Sequence, residues 1–73
     1  MIMNKNVDLV KTQAVEDGSF RIEEFRLSFV VGNQKYNDLF CRVYINDVFS
    51  NYLYKGMELD TLEEVSNEIY KRS

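Results

Sequence analysis

A chain of 73 residues carries one domain, close to the smallest size that folds without staples. One cysteine and no histidine exclude an internal disulfide and a thiol-histidine zinc site, leaving apolar packing, 45% hydrophobic residues with five Phe and five Tyr, to hold the fold. A net charge of −3 argues against a general nucleic-acid binder or an anionic membrane surface as partner, since both need a basic face.

Residues 1–6 read as a flexible, polar N-terminal tail, and residues 7–73 as one α+β domain. The tail has no apolar run resembling a secretory leader, and no stretch approaches the ~18–20 apolar residues of a membrane span. With a free cysteine, these features lead to an expectation of cytoplasmic localisation. Val7 to Val15 predicts a first strand. Asp17-Gly18 then supplies a hairpin signal, because a type I′ turn requires positive φ at its central positions. A two-residue loop there sets Val15 opposite Phe20 and Lys11 opposite Glu24, a cross-strand charge pair.

The second strand, Phe20 to Val31, changes phase. Phe20 and Ile22 lie on one side of a pleated strand, whereas Phe25, Leu27, Phe29 and Val31 lie on the other. Either a bulge near Glu23-Glu24 restores one face, or both faces are covered, one by a helix and one by a partner chain. Gly32-Asn33-Gln34 predicts the next turn. Leu39, Cys41, Val43 and Ile45 alternate through a third strand and predict its core face. Asn46-Asp47 is a weaker turn signal. Val48 to Lys55 reads as a strand rich in β-formers, with a short helix stopped by Gly56 as the alternative.

The C-terminal helix has the clearest signals. Asp60 or Thr61 caps it, an acid follows three residues on, and Leu62, Val65 and Ile69 recur at helical spacing with Tyr70 beside them. Lys71 and Arg72 suit its C-terminal end. The expected architecture is thus an antiparallel meander of three to four strands with one helix packed across it.

Catalytic chemistry finds few residues. Cys41 sits in a strand, in phase with apolar neighbours, where nothing activates a thiol, so it reads as a core cysteine. Neighbouring carboxylates such as Glu23-Glu24 and Glu63-Glu64 point apart, and no calcium loop or glycine-rich phosphate loop is present. No enzymatic activity, metal or cofactor is therefore expected. Two surfaces are candidates for binding. One is acidic: Asp47 to Tyr70 holds six acids against one base, a local charge of −5, with Glu58, Asp60, Glu63, Glu64 and Glu68 as the partner-binding candidates. The other is aromatic: Tyr44, Phe49, Tyr52 and Tyr54, which suit a dimer or protein interface better than stacked bases, given how few basic residues flank them.

In general character, being short, acidic, aromatic-rich and free of proline and of a catalytic kit, the chain resembles small accessory proteins of bacteriophages and mobile elements. The resemblance implies an inhibitor that binds a host protein. A homodimer would double the acidic surface, which could then mimic DNA against a basic DNA-binding protein. The alternative expectation is a structural subunit that completes a larger assembly through its aromatic sheet face.

Overall fold

The computed structural model describes residues 2–14 and 17–73, without the side chains of residues 2–4. Five strands and one helix occur in chain order: β1 (Ile2–Ala14), β2 (Phe20–Val31), β3 (Gln34–Ile45), β4 (Val48–Tyr54), β5 (Met57–Leu59) and α1 (Leu62–Arg72). All strands join one antiparallel sheet in the order β1-β2-β3-β4-β5, a meander in which each strand pairs with its sequence neighbours. The α+β class is as expected, with five strands in place of three to four. Strand β1 begins at Ile2, so it takes in most of the segment expected to be a tail.

Turn chemistry sets the register. Gly32 takes φ 60° at the first central position of the β2–β3 hairpin, where a residue with a Cβ is strained, and Val31 pairs with Gln34 across it. Asn46 and Asp47 both adopt positive φ, 52° and 65°, so this modest signal makes a tight hairpin between β3 and β4. Lys55-Gly56 does the same, with φ 50° and 82°, and turns β4 back into the short β5. Gly56 therefore closes a hairpin and does not stop a helix, and residues 48–54 are a strand. At the first turn, Ser19 bonds Asp17 through its side chain and also donates its amide to it at 2.9 Å, which together hold the Asp17 carboxyl below its ordinary value. Lys11 faces Glu24 as expected; the proposed Val15–Phe20 pair lies outside the described residues.

The phase change in β2 is resolved without a bulge in that strand. Its register with β3 runs unbroken from Phe20↔Ile45 to Val31↔Gln34. Irregularities fall instead on β1, between Leu9 and Lys11 and between Met3 and Asn6, and on β4 at Ser50. Hence the two apolar sets of β2 lie on opposite faces of the sheet. On the front, Phe25, Leu27 and Phe29 stand beside Phe40, Tyr36 and Tyr54, and α1 covers them with Val65 and Ile69. On the back lie Phe20 and Ile22, opposite Ile45 and Val43.

This register overturns the expected core face of β3. Leu39, Cys41, Val43 and Ile45 point to the back, away from the helix, while Phe40 faces the front core at 2% exposure. Cys41 is half-buried on the back face and is not a core residue. The physical reason is the aromatic pairing: Phe25 and Phe40 are direct cross-strand partners, their rings stacked with centroids 5.6 Å apart. Burying both on one face removes more apolar area from water than the smaller odd-numbered set would.

The helix forms as its sequence directs. Thr61 caps it, accepting the Glu64 amide at 3.1 Å, and the Glu64 carboxylate returns to the Thr61 amide at 3.1 Å. Two otherwise unpaired donors are thereby satisfied. Its buried stripe is Val65, Ser66 and Ile69, with the Ser66 hydroxyl donating to the Leu62 carbonyl at 3.0 Å. Thr61→Ala is expected to lower stability by about 1 kcal/mol, read as a reduced urea midpoint. An unchanged midpoint would show that the box does not hold this helix.

Candidate functional site

The helix packs against β3, β4 and β5 and covers only one end of the front face. The covered end holds Leu27, Phe29, Tyr36, Tyr54 and Met57. Beyond it, the sheet runs on toward the β1–β2 and β3–β4 turns as a single layer. Among the described residues, eight large hydrophobics are exposed, and six of them, Leu9, Val10, Phe20, Ile45, Val48 and Phe49, belong to this helix-free half. Isolated exposed apolar residues are ordinary, but a cluster of them on one part of a small protein marks a contact surface.

On the front of that half the aromatic residues form a connected group. Tyr44 meets Phe49 edge-on at 5.9 Å, Phe49 meets Tyr52 at 4.8 Å, and Tyr52 leans on Phe40 at 5.7 Å. Three of the four expected aromatic positions, Tyr44, Phe49 and Tyr52, are thus brought together. The bulge at Ser50 makes this possible: it re-phases β4 so that Phe49 and Tyr52, three apart in sequence, share the front face.

Tyr54, the fourth, sits elsewhere. It is 2% exposed, under the helix, and donates its hydroxyl to Asp38 at 2.6 Å. Burial and the Asp38 bond push the Tyr54 phenol up to about 12. Partial burial alone would raise Asp38, but bonds from Tyr54 and the Leu39 amide, with Lys55 and Arg26 nearby, hold it below its ordinary value. Tyr54 is therefore part of the packing that fixes β4 against β3.

Two arginines frame the aromatic group, a feature that sequence reading undervalued. Arg21 lies over the Tyr44 ring at 4.2 Å, with its guanidinium 2.8 Å from Asp47 and 3.5 Å from Glu23. Arg42 lies over Phe25 at 4.6 Å and 5.8 Å from the Tyr52 ring centre. Among the described residues no carboxylate comes within salt-bridge distance of Arg42, although Glu23 is its cross-strand partner. Its planar guanidinium lies against two aromatic rings. Alternation along β3, which places Tyr44, Arg42 and Phe40 on one face, was the signal available in the sequence.

The acidic candidates are divided. Glu64 is committed to the helix cap, Glu63 pairs with Lys5 of β1, and Glu68 pairs with Lys71 at 3.3 Å. Glu58 pairs with Leu53 in the ladder and so lies on the back face, away from the helix. Asp60 is exposed just before the cap. The five acids do not form one continuous surface.

Cys41 has no activating neighbour in this arrangement. Burial, reinforced by the Glu24 carboxylate, pushes its thiol up, against a smaller opposing effect of Lys11. A thiol so placed is a poor thiolate nucleophile at neutral pH. Among the described residues no group of three or more His, Cys, Asp or Glu is placed to hold a metal ion, and no helix is long and apolar enough to cross a membrane. The helix-free half presents aromatic area, a guanidinium lying against two rings and exposed aliphatic side chains. No family model matches the chain, and neither a curated protein nor a solved structure shows significant similarity to it.

Proposed function

We propose that this chain is a protein-interaction module that docks the front of its helix-free sheet half, Tyr44, Phe49, Tyr52 and Arg42, against a partner protein. The observation that carries this reading is Arg42: a guanidinium stacked among aromatic rings, with no carboxylate partner among the described residues. Arg, Tyr and Phe are the residue types enriched at the energetic centres of interfaces, where rigid rings bring area at little entropic cost. The partner would place a carboxylate or a carbonyl edge over Arg42 and apolar side chains against Phe49.

A second reading keeps the acidic C-terminal region as the contact, in the manner of an inhibitor that engages a basic, DNA-binding host protein. It is supported by Glu58 and Asp60, which are exposed and carry no ion pair among the described residues. One experiment separates the two. Immobilised protein is used to capture its partner from a lysate of the source organism, and the capture is repeated with variants. Arg42→Gln and Phe49→Ser are each expected to weaken it by about 2 kcal/mol, roughly thirtyfold, with the far-ultraviolet spectrum unchanged. Capture that survives both but is lost with Glu58→Lys and Asp60→Lys, and weakens with salt, would move the site to the acidic region.

A further inference from the structure

The back face of the sheet carries its own pattern, distinct from the partner surface just described. Toward the β1–β2 turn it is mostly apolar: Phe20, Ile22, Val43, Ile45 and Val48 lie together by register, flanked by Gln13 and Asn51. Phe20, Ile45 and Val48 are exposed by 39%, 49% and 67%, and no element of the chain packs over them among the described residues. The phase change in β2 is what creates this second apolar face, since a strand serving one core would not place Phe20 and Ile22 on the opposite side.

We infer that a second copy of this chain covers the back face, the two sheets packing face to face around a two-fold axis. Charge is the first argument for that occupant. Among the described residues the back-facing strand positions hold three acids, Asp8, Glu24 and Glu58, and three bases, Lys11, Arg26 and Lys35. The chain as a whole carries −3, so this is a face on which two acidic copies approach without net repulsion. The charges also alternate in sign. Lys11 stands beside Glu24 and Asp8 beside Arg26 on adjacent strands, a checkerboard that a rotated copy can meet with opposite charges.

Area is the second argument. The molecule measures 45 × 19 × 17 Å, so the whole back face, its charged and apolar parts together, is bounded by a rectangle close to the ~800 Å² that each partner contributes to a standard stable interface. Two twisted sheets stack at roughly 10 Å with their strands about 30° apart, so alternate side chains of the two faces can interdigitate. A domain of this length buries a modest fraction of its surface alone, and a second layer behind the helix-free half adds to it.

The test is sedimentation equilibrium of the whole chain, with Ile45→Asp/Val48→Asp as the variant. Both positions are exposed, so the monomer fold is expected to persist, checked by circular dichroism. The wild type is expected at twice the chain mass, and the double variant at one chain mass, with self-association weakened at least about tenfold. As a second measurement, Cys41 at the centre of the back face is alkylated at increasing protein concentration. Its rate is expected to fall as the dimer forms, and to stay constant in the double variant. A wild type of one chain mass into the millimolar range, or a dimer broken by Phe49→Ser and untouched by the double variant, would overturn the inference. The first of these outcomes leaves partner capture through Arg42 and Phe49 intact, so the two proposals fail separately.

Discussion

Replacing Phe40 by alanine is expected to cost about 3–5 kcal/mol, whereas replacing its immediate neighbour Cys41 by alanine is expected to cost about 1 kcal/mol or less. Phe40 is 2% exposed, stacked on Phe25 at 5.6 Å and leaned on by Tyr52. Its removal loses the transfer free energy of a phenyl ring and leaves a cavity between the sheet and the helix-side core. By about 0.05–0.15 kcal/mol per residue, a chain this short has only some 4–11 kcal/mol of total stability, so Phe40→Ala is expected to leave much of it unfolded at 37 °C. Cys41 lies one step along the strand and thus on the opposite face, where its half-buried sulfur has little packed over it. Urea unfolding of the two variants measures the contrast. Equal losses, or a larger one at Cys41, would show that the core lies on the face where alternation of Leu39, Cys41, Val43 and Ile45 first suggests it.

Stability is also expected to fall steeply in alkali through one hydroxyl. Tyr54 is pushed up to about 12 in the folded chain from an ordinary value near 10. A raised folded value means that the contribution is fully present below the unfolded pKa and is lost as pH climbs from about 10 to 12. Two pH units of differential binding correspond to about 2–3 kcal/mol. The loss should be absent in Tyr54→Phe, which starts less stable at neutral pH by about 1–3 kcal/mol because Asp38 loses its donor. Asp38 works in the opposite sense: held low in the fold, it contributes above the ordinary carboxylate range, and that contribution disappears as pH falls through its lowered value. Thermal melts between pH 7 and 12 decide the point. Parallel alkaline curves for wild type and Tyr54→Phe would mean that the Tyr54–Asp38 bond does not stabilise the fold.

Local chemistry was legible wherever one or two residues decide the geometry. The Thr61–Glu64 box, the apolar stripe of Val65 and Ile69 and the basic last turn predict α1, which forms at Leu62–Arg72. Asp17-Gly18 predicts the Lys11–Glu24 pairing, which is present. The β2 phase change corresponds to an unbroken β2–β3 register and an apolar set on each side of the sheet, of which the helix covers the front one. Gly56 does mark a boundary, but a glycine at a boundary is equally compatible with a strand or a helix beyond it. Met57–Leu59 is too short to show a period of its own, so β5 left no pattern to read.

Sequence by itself determined that this chain is an α+β domain with a capped C-terminal helix, and that it carries two apolar phases on one long strand. Only the tertiary structure decided which phase is the core. Strand alternation has a period of two, so it sorts residues into two faces without saying which face is dry; that depends on register against a neighbouring strand. Here the register sets Phe25 against Phe40 and sends Cys41 to the back. It also withdraws Tyr54 beneath the helix, gathers Tyr44, Phe49 and Tyr52 around Arg42, and divides the acids of the C-terminal region between two surfaces. Each of these is a long-range pairing, and long-range pairings are won by the total area that closure buries rather than by any segment's own preference.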